Sequence, residues 1–381
     1  MSSGPLAGTL VVDLTRVLAG PFCTMVLADL GARVIKVESP DGGDDSRRIG
    51  PFVAGRSAYF MSLNRGTESI ALDLKSDSDR ALFEKLLVRA DVLTENFRPG
   101  VLERLGFGWE SLHRRYPRLV LASTSGFGQT GPLAKRPAYD IVVQAMGGIM
   151  SLTGHPGGPP TRVGSSVGDI NAGLFTAIGV QAALLARERT GEGTRIDVAM
   201  LDAQIATLEN AIARFDASGE VPGPLGSRHP SIAPFEAFAA ADGHLVVAAG
   251  NDGLFANLCG AVGRPELAKE ERFRSNEDRC RNADALKREL EAALAVRPVR
   301  AWLTDLETAG IPCGPLNDIS DVLEDPQALA RNMVVHADDP EAGRVRMAGN
   351  PVKIEGCEDP TTRRPAPALD ADRSRILAEF D

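Results

Sequence analysis

The chain has 381 residues, 43% of them hydrophobic and 24% charged, with a formal net charge of −9. That length allows more than one ordinary domain and a large buried core, and the acidic balance excludes the broad basic face that nucleic acid or an anionic membrane surface rewards. The five cysteines are widely spaced and form no CxxC pair, which suits a reducing cytoplasm.

In chain order, residues 9–13 (TLVVD) form a short β-rich run, residues 21–30 carry apolar side chains at helical spacing, and residues 33–38 (RVIKVE) alternate as a strand. This βαβ unit continues with predicted strands at 70–74, 92–95 and 119–123 and a helix at 78–89, so an α/β fold with a parallel sheet follows. Helices are predicted over 140–150 and 170–187, then a strand over 194–200 and one long helix over 201–217. Residues 218–234 (SGEVPGPLGSRHPSIAP) are rich in Pro, Gly and Ser and mark a domain crossing. The expected organisation is therefore a large domain over 1–217, a smaller α/β domain over 218–317, and a segment over 318–381 that rejoins the large domain. The opening residues show no basic run followed by an apolar stretch, and no window is expected to reach the ~18 apolar residues of a membrane span.

The first strand-to-helix turn reads DLTRVLAGPF, without the GxGxxG that a dinucleotide site needs. It still places residues 17–21 beyond the carboxyl end of a parallel strand, where α/β sheets bind ligands. No HExxH, EF-hand, P-loop or GxSxG run occurs, and the five histidines are scattered, so no metal site is expected. Two loops combine glycines with polar residues. One is STSGFGQTGPLAKRPAYD at 123–140, and the other is VGSSVGDINAG at 163–173, where Asp169 opens an apolar helix. An aspartate there is by default an N-cap, but the surrounding glycines also let a substrate approach its carboxylate, and both readings stand.

Taken in order, the blocks DLTRVLAGPFCTMVLADLGARVIKVESPDGGDDSRRIGPF, SLNRGTESIALDLK, ADVLTENFRPGVLERLGFGW, SGFGQTGP, PAYDIVVQAMGGIM, VGSSVGDINAG and DVAMLDAQ resemble the class III CoA-transferase family over essentially the whole chain. SRHPSIAPF, GNDGLF and CGPLND are similar to the members that use acetyl-CoA or formyl-CoA with oxalate, or succinyl-CoA with other dicarboxylates. The resemblance implies a large Rossmann-like domain built from both ends of the chain, a small central domain, and a homodimer of interlocked rings. It implies coenzyme A as an acyl-CoA substrate, a small carboxylic acid as the second substrate, no permanently bound cofactor, and Asp169 as the nucleophile.

By the same resemblance the coenzyme lies against Val17 and Leu18, against Leu72, Asp73, Leu74 and Lys75, and against Asn96, Phe97 and Arg98. Arg104 and either Lys135 or Arg136 would meet its phosphates, and Ala138, Tyr139 and Asp140 would line the pantetheine end. Oxalate-using members carry a cation where this chain has Ser39. His229 with Gly250, Asn251 and Gly253 would face the acid, the latter three at the place of a glycine-rich covering loop. Two alternatives remain. An α-methylacyl-CoA racemase would resemble a His-Asp pair where this chain has Tyr139 and Asp140, and a non-catalytic CoA-binding protein would lack the nucleophile.

Overall fold

The computed structural model describes residues 4–380. The chain forms two compact units: residues 4–151, 162–221 and 326–380 make the larger, and residues 152–161 and 222–325 the smaller. The smaller unit thus differs from the expected 218–317 segment by taking in an excursion after residue 151 and by keeping the helix Ile319–Glu324.

In the larger unit six parallel strands form one sheet: β1 (Leu10–Asp13), β2 (Arg33–Glu38), β3 (Glu68–Ala71), β4 (Val92–Glu95), β5 (Val120–Ser125) and β6 (Arg195–Ala199). Their order is β3-β2-β1-β4-β5-β6, so the winding reverses between β1 and β4. Such a reversal opens a crevice outside the carboxyl ends of the strands. Both faces are buried. Val12, Leu14, Ile35 and Leu93 pack against Phe83, Leu86 and Leu87 of helix α2 (Asp77–Arg89), and Val11, Val34, Val92 and Val120 pack on the other side. Adjacent residues such as Val11 and Val12 face opposite layers because side chains alternate along a strand, and each buried Val or Leu stabilises by about 1.5–3 kcal/mol.

The second face is covered by α1 (Ala19–Asp29) and α4 (Val167–Thr190), after α3 (Asp140–Met146). An 18-residue stretch of α4 has mean hydropathy 1.4, so this helix is long and apolar enough to cross a membrane, contrary to the expectation of no such run. The buried side of α4 is made of Ala172, Gly173, Thr176, Ala177, Val180 and Ala183. A Cβ on Gly173 would come within 2.7 Å of the Ala19 carbonyl oxygen, so glycine is what lets α1 and α4 approach this closely.

The predicted helix over 201–217 divides into α5 (Met200–Ala206) and α6 (Ala211–Ser218), with Glu209 at φ +54° in the break. The predicted 140–150 helix likewise ends at Met146, because the Gly147-Gly148 pair follows and Gly148 takes φ +87°. A hairpin near the end of the chain, Val334–Asp339 paired with Gly343–Ala348, completes the larger unit.

The smaller unit holds a three-stranded antiparallel sheet of β7 (Phe235–Ala239), β8 (His244–Ala248) and β9 (Cys313–Pro315). Phe238, Leu245 and Val247 pack against Leu286, Leu290 and Leu294. These leucines repeat every four residues and so line one side of their helix, Ala283–Leu294.

Candidate active site

At the end of β1 the chain turns under a buried charge cluster. The Lys36 ammonium, fully buried, donates to the Thr15 carbonyl at 2.7 Å and lies 3.0 Å from Asp44 and 3.4 Å from Asp13. Burial alone would push the Lys36 ammonium down, but Asp13, Asp44 and Glu38 outweigh it and hold it above its ordinary value. Burial likewise disfavours the Asp44 carboxylate, yet Lys36 and hydrogen bonds from Ser46 and the Val17 N–H keep it below its ordinary range. Val17 has φ +68°, a left-handed conformation that costs a β-branched residue about 1–3 kcal/mol and persists only where its surroundings impose it.

This turn forms one wall of a cleft of about 1030 Å³ at the carboxyl ends of β1, β4 and β5. Val17, Leu18, Asn96, Phe97, Arg98, Arg136, Ala138, Tyr139 and Asp169 all line it. Leu72, Asp73, Leu74 and Lys75 line a neighbouring recess of about 760 Å³, and Phe97 lines both. Glu95, at the buried end of β4, accepts a 2.8 Å hydrogen bond from the Phe97 N–H and so shapes the turn into residues 96–98. Its carboxyl is pushed up to about 7, mainly by burial.

Asp169 sits in the first turn of α4, whose N-cap Ser166 makes no side-chain cap, and it lines the cleft. Its carboxyl is pushed up to about 7, first by burial and then by the negative charge of Asp140. A carboxylate at a helix N-terminus that lines a cleft is chemically able to attack an acyl group once ionised.

Asp140 does not line the cleft. It is buried, and its Oδ1 accepts from the Gly168 N–H at 2.9 Å while Oδ2 accepts from Gln144 Nε2 at 2.7 Å. Its place is behind Asp169, because α3 packs against the start of α4, where a Cβ on Gly168 would come within 2.6 Å of Val143. Arg104 also lies outside the cleft, exposed at the end of the short helix Val101–Arg104, and Lys135 is exposed without lining it.

Two residues were not singled out from the sequence. Arg16 lines both the cleft and its recess, with its guanidinium 3.1 Å from Asp45 and 5.7 Å from the centre of the Phe97 ring; its position just past a strand end was the available signal. Tyr59 is near enough to Asp169 that its phenol is pushed up to about 12, by burial first and then by the charges of Asp169, Asp44 and Asp140. No periodicity marks Tyr59.

His229 and the 250–253 segment belong to the smaller unit. The His229 ring accepts from the Ser231 N–H at 3.1 Å and packs on Phe235. Arg228 is paired with Glu236 and Asp284, each at 2.9 Å. Only the second half of 250–253 is helical: Asn251 caps the helix Asp252–Ala261 by accepting from the Leu254 N–H at 2.9 Å, and Gly253 lies in its first turn. An asparagine directly ahead of a helical run is a strong helix start.

The family model of CoA-transferase family III matches residues 6–373. The chain is 52% identical to the acetyl-CoA:oxalate CoA-transferase of Acetobacter aceti, over 99% of this chain and 96% of the relative. It is 41% identical to the succinyl-CoA:mesaconate CoA-transferase of Haloarcula hispanica, over 99% of this chain and 96% of the relative. Among solved structures it is similar to a CAIB/BAIF family protein from Brucella suis, with a TM-score of 0.88, 41% identity and full coverage of both chains.

Proposed function

The chain belongs to CoA-transferase family III, and from that premise we propose that it moves coenzyme A from a short acyl-CoA to a small dicarboxylic acid, with Asp169 as the nucleophile. The observation that carries this reading is the raised carboxyl of Asp169 in one cleft with Val17, Leu18, Asn96, Arg98 and Arg136. The donor is acetyl-, formyl- or succinyl-CoA and the first acceptor oxalate, a reading supported for acetyl- and succinyl-CoA by relatives named for acetyl-CoA with oxalate and succinyl-CoA with mesaconate.

An Asp169 oxygen attacks the donor's acyl carbon and expels CoA thiolate, leaving an aspartyl-acyl anhydride. The thiolate attacks the aspartyl carbonyl, releasing the donor acid and leaving an aspartyl-CoA thioester. The acceptor carboxylate attacks that thioester and expels thiolate again, and thiolate attack on the acceptor's carbonyl frees Asp169 and the new acyl-CoA. Each step exchanges one activated acyl bond for another, which conserves the thioester's free energy. Arg98 and Arg136 are suited to the coenzyme's phosphates through charge-assisted bonds, as is Lys75 from the recess.

The Rossmann-like reading of the larger unit rests on its strand order. A cytoplasmic homodimer of interlocked chains completes the proposal. The apolar side chains exposed on α4, Leu174, Phe175, Ile178 and Leu185, support only the part of this reading that pairs the chain with a second copy. A racemase reading finds less support, because no histidine lines the described cleft to act as a second base.

Incubation with acetyl-CoA followed by hydroxylamine should modify Asp169 in the peptide mass spectrum. Asp169→Ala and Asp169→Asn should lose turnover by at least about 10³-fold while still binding CoA. An unmodified peptide together with an active variant would overturn the assignment. Deuterium exchange at the α-carbon without CoA transfer would favour the racemase instead.

A further inference from the structure

Three consecutive residues in the turn after β1 are each held through the backbone by a side chain from elsewhere. The Thr15 carbonyl accepts from the Lys36 ammonium at 2.7 Å. Arg16 is gripped twice by Asn96, whose Oδ1 accepts the Arg16 N–H at 2.9 Å and whose Nδ2 donates to the Arg16 carbonyl at 2.7 Å. The Val17 N–H donates to Asp44 Oδ1 at 3.0 Å, an oxygen that also accepts from the Ser46 N–H at 2.8 Å and the Ser46 hydroxyl at 2.7 Å.

Asn96 is solvent-accessible and lines the cleft, so contact with a ligand accounts for it directly. Asp44 and Lys36 are different. Neither lines the main cleft, Asp44 borders only the neighbouring recess, and they are 1% and 0% exposed. A buried ion pair is seldom retained for stability alone, because desolvating both charges opposes their attraction. Here the pair ends on the one non-glycine residue of the cleft that has a left-handed backbone.

We propose that Asp44, backed by the buried Lys36 ammonium, is a positioning residue that holds Val17 in its left-handed conformation and so pre-forms the wall of the cleft. This deepens the coenzyme A reading and rests on it for the identity of the ligand. The physical reason is pre-organisation: a turn already in its bound shape has no ordering cost left at binding, whereas Val17 released from Asp44 would relax out of a conformation that side chains rarely adopt. Asp13 stays beside Lys36 when Asp44 is removed, so the buried ammonium keeps a counter-charge.

The test is a double-substitution cycle on the full chain, read by calorimetric binding of free CoA and by acetyl-CoA kinetics. Asp44→Ala should weaken CoA binding and raise KM by about 10-fold with kcat changed by less than about 3-fold, and Asp44→Asn, which keeps an acceptor for the Val17 N–H, should fall between it and the parent. Glycine adopts φ +68° without side-chain strain, so in a Val17→Gly background the Asp44→Ala penalty should shrink to about 2-fold or less. Equal penalties in both backgrounds, or a folded Asp44→Ala protein with parental CoA affinity, would overturn the proposal. Hydrogen exchange without ligand gives an independent arm: the Val17 amide should exchange at least about 10-fold faster in Asp44→Ala, and parental protection there would also overturn it. If the unsubstituted protein binds no CoA, the functional reading fails, and the exchange arm still decides the positioning role.

Discussion

The Asp140 carboxylate accepts a hydrogen bond from the Gly168 N–H at 2.9 Å, one residue before Asp169, and so places a second negative charge behind the Asp169 carboxyl while fixing the start of its helix. Position and electrostatics are thus joined in one side chain. Asp140→Asn keeps an acceptor for Gly168 and removes the charge, so the Asp169 carboxyl should become more acidic yet stay above the ordinary carboxylate range, because burial is the larger cause. Asp140→Ala loses the tie as well, and kcat/KM should fall by about 10- to 100-fold. Steady-state kinetics from pH 5 to 9 on both variants check this.

The pH dependence of the parent follows from the same group. With Asp169 raised to about 7, kcat/KM should rise with pH through an acid limb near that value, since the ionised form attacks. Glu95 is also raised to about 7, but it feels Arg195 and Glu103. A limb that moves in Asp140→Asn therefore belongs to Asp169, and an unmoved limb assigns it elsewhere.

Stability carries the opposite sign. A carboxyl whose folded pKa lies above its unfolded one favours the folded state when protonated, and that advantage disappears as pH rises from about 4 through 7. Asp169→Asn removes the ionisation, so its Tm relative to the parent should be higher at pH 8 than at pH 5. Calorimetry at the two pH values reads this directly, and a constant difference would contradict it.

The cations divide by position. Arg98→Ala and Arg136→Ala, both in the cleft, should each raise KM for CoA esters by about 10-fold, in line with the loss of a charge-assisted hydrogen bond. Arg104→Ala should stay within about 2-fold of the parent, since an exposed charge outside the cleft contributes little. Initial-rate measurements against acetyl-CoA concentration distinguish the three.

Gly173→Ala tests the helix packing beneath the site. The added Cβ would lie 2.7 Å from the Ala19 carbonyl oxygen and 3.0 Å from Phe22 Cβ, so α1 and α4 must separate. A loss of about 1–3 kcal/mol is expected in denaturant unfolding, with a fall in kcat as the Asp169 end of α4 shifts.

The sequence by itself determined the elements whose cause is local. Alternation in residues 9–13 and 33–38 marks β1 and β2, and the ordered blocks through VGSSVGDINAG single out Asp169. Tertiary structure decided what those elements bring together. Arg16 and Tyr59 reach the neighbourhood of Asp169, Asp44 reaches the Val17 N–H, Asp140 lies behind Asp169, and Arg104 is exposed and does not line the cleft. Residues 250–253 show the same limit from the other side, since the family resemblance put a covering loop at their place while the Asn251 side chain, bonded to the Leu254 N–H, starts a helix. Periodicity reports which face of a strand or helix a residue occupies. Which distant residue it meets depends on strand order and on how closely helices pack, and here both turn on contacts such as Gly173 against Ala19, made between segments far apart in the chain.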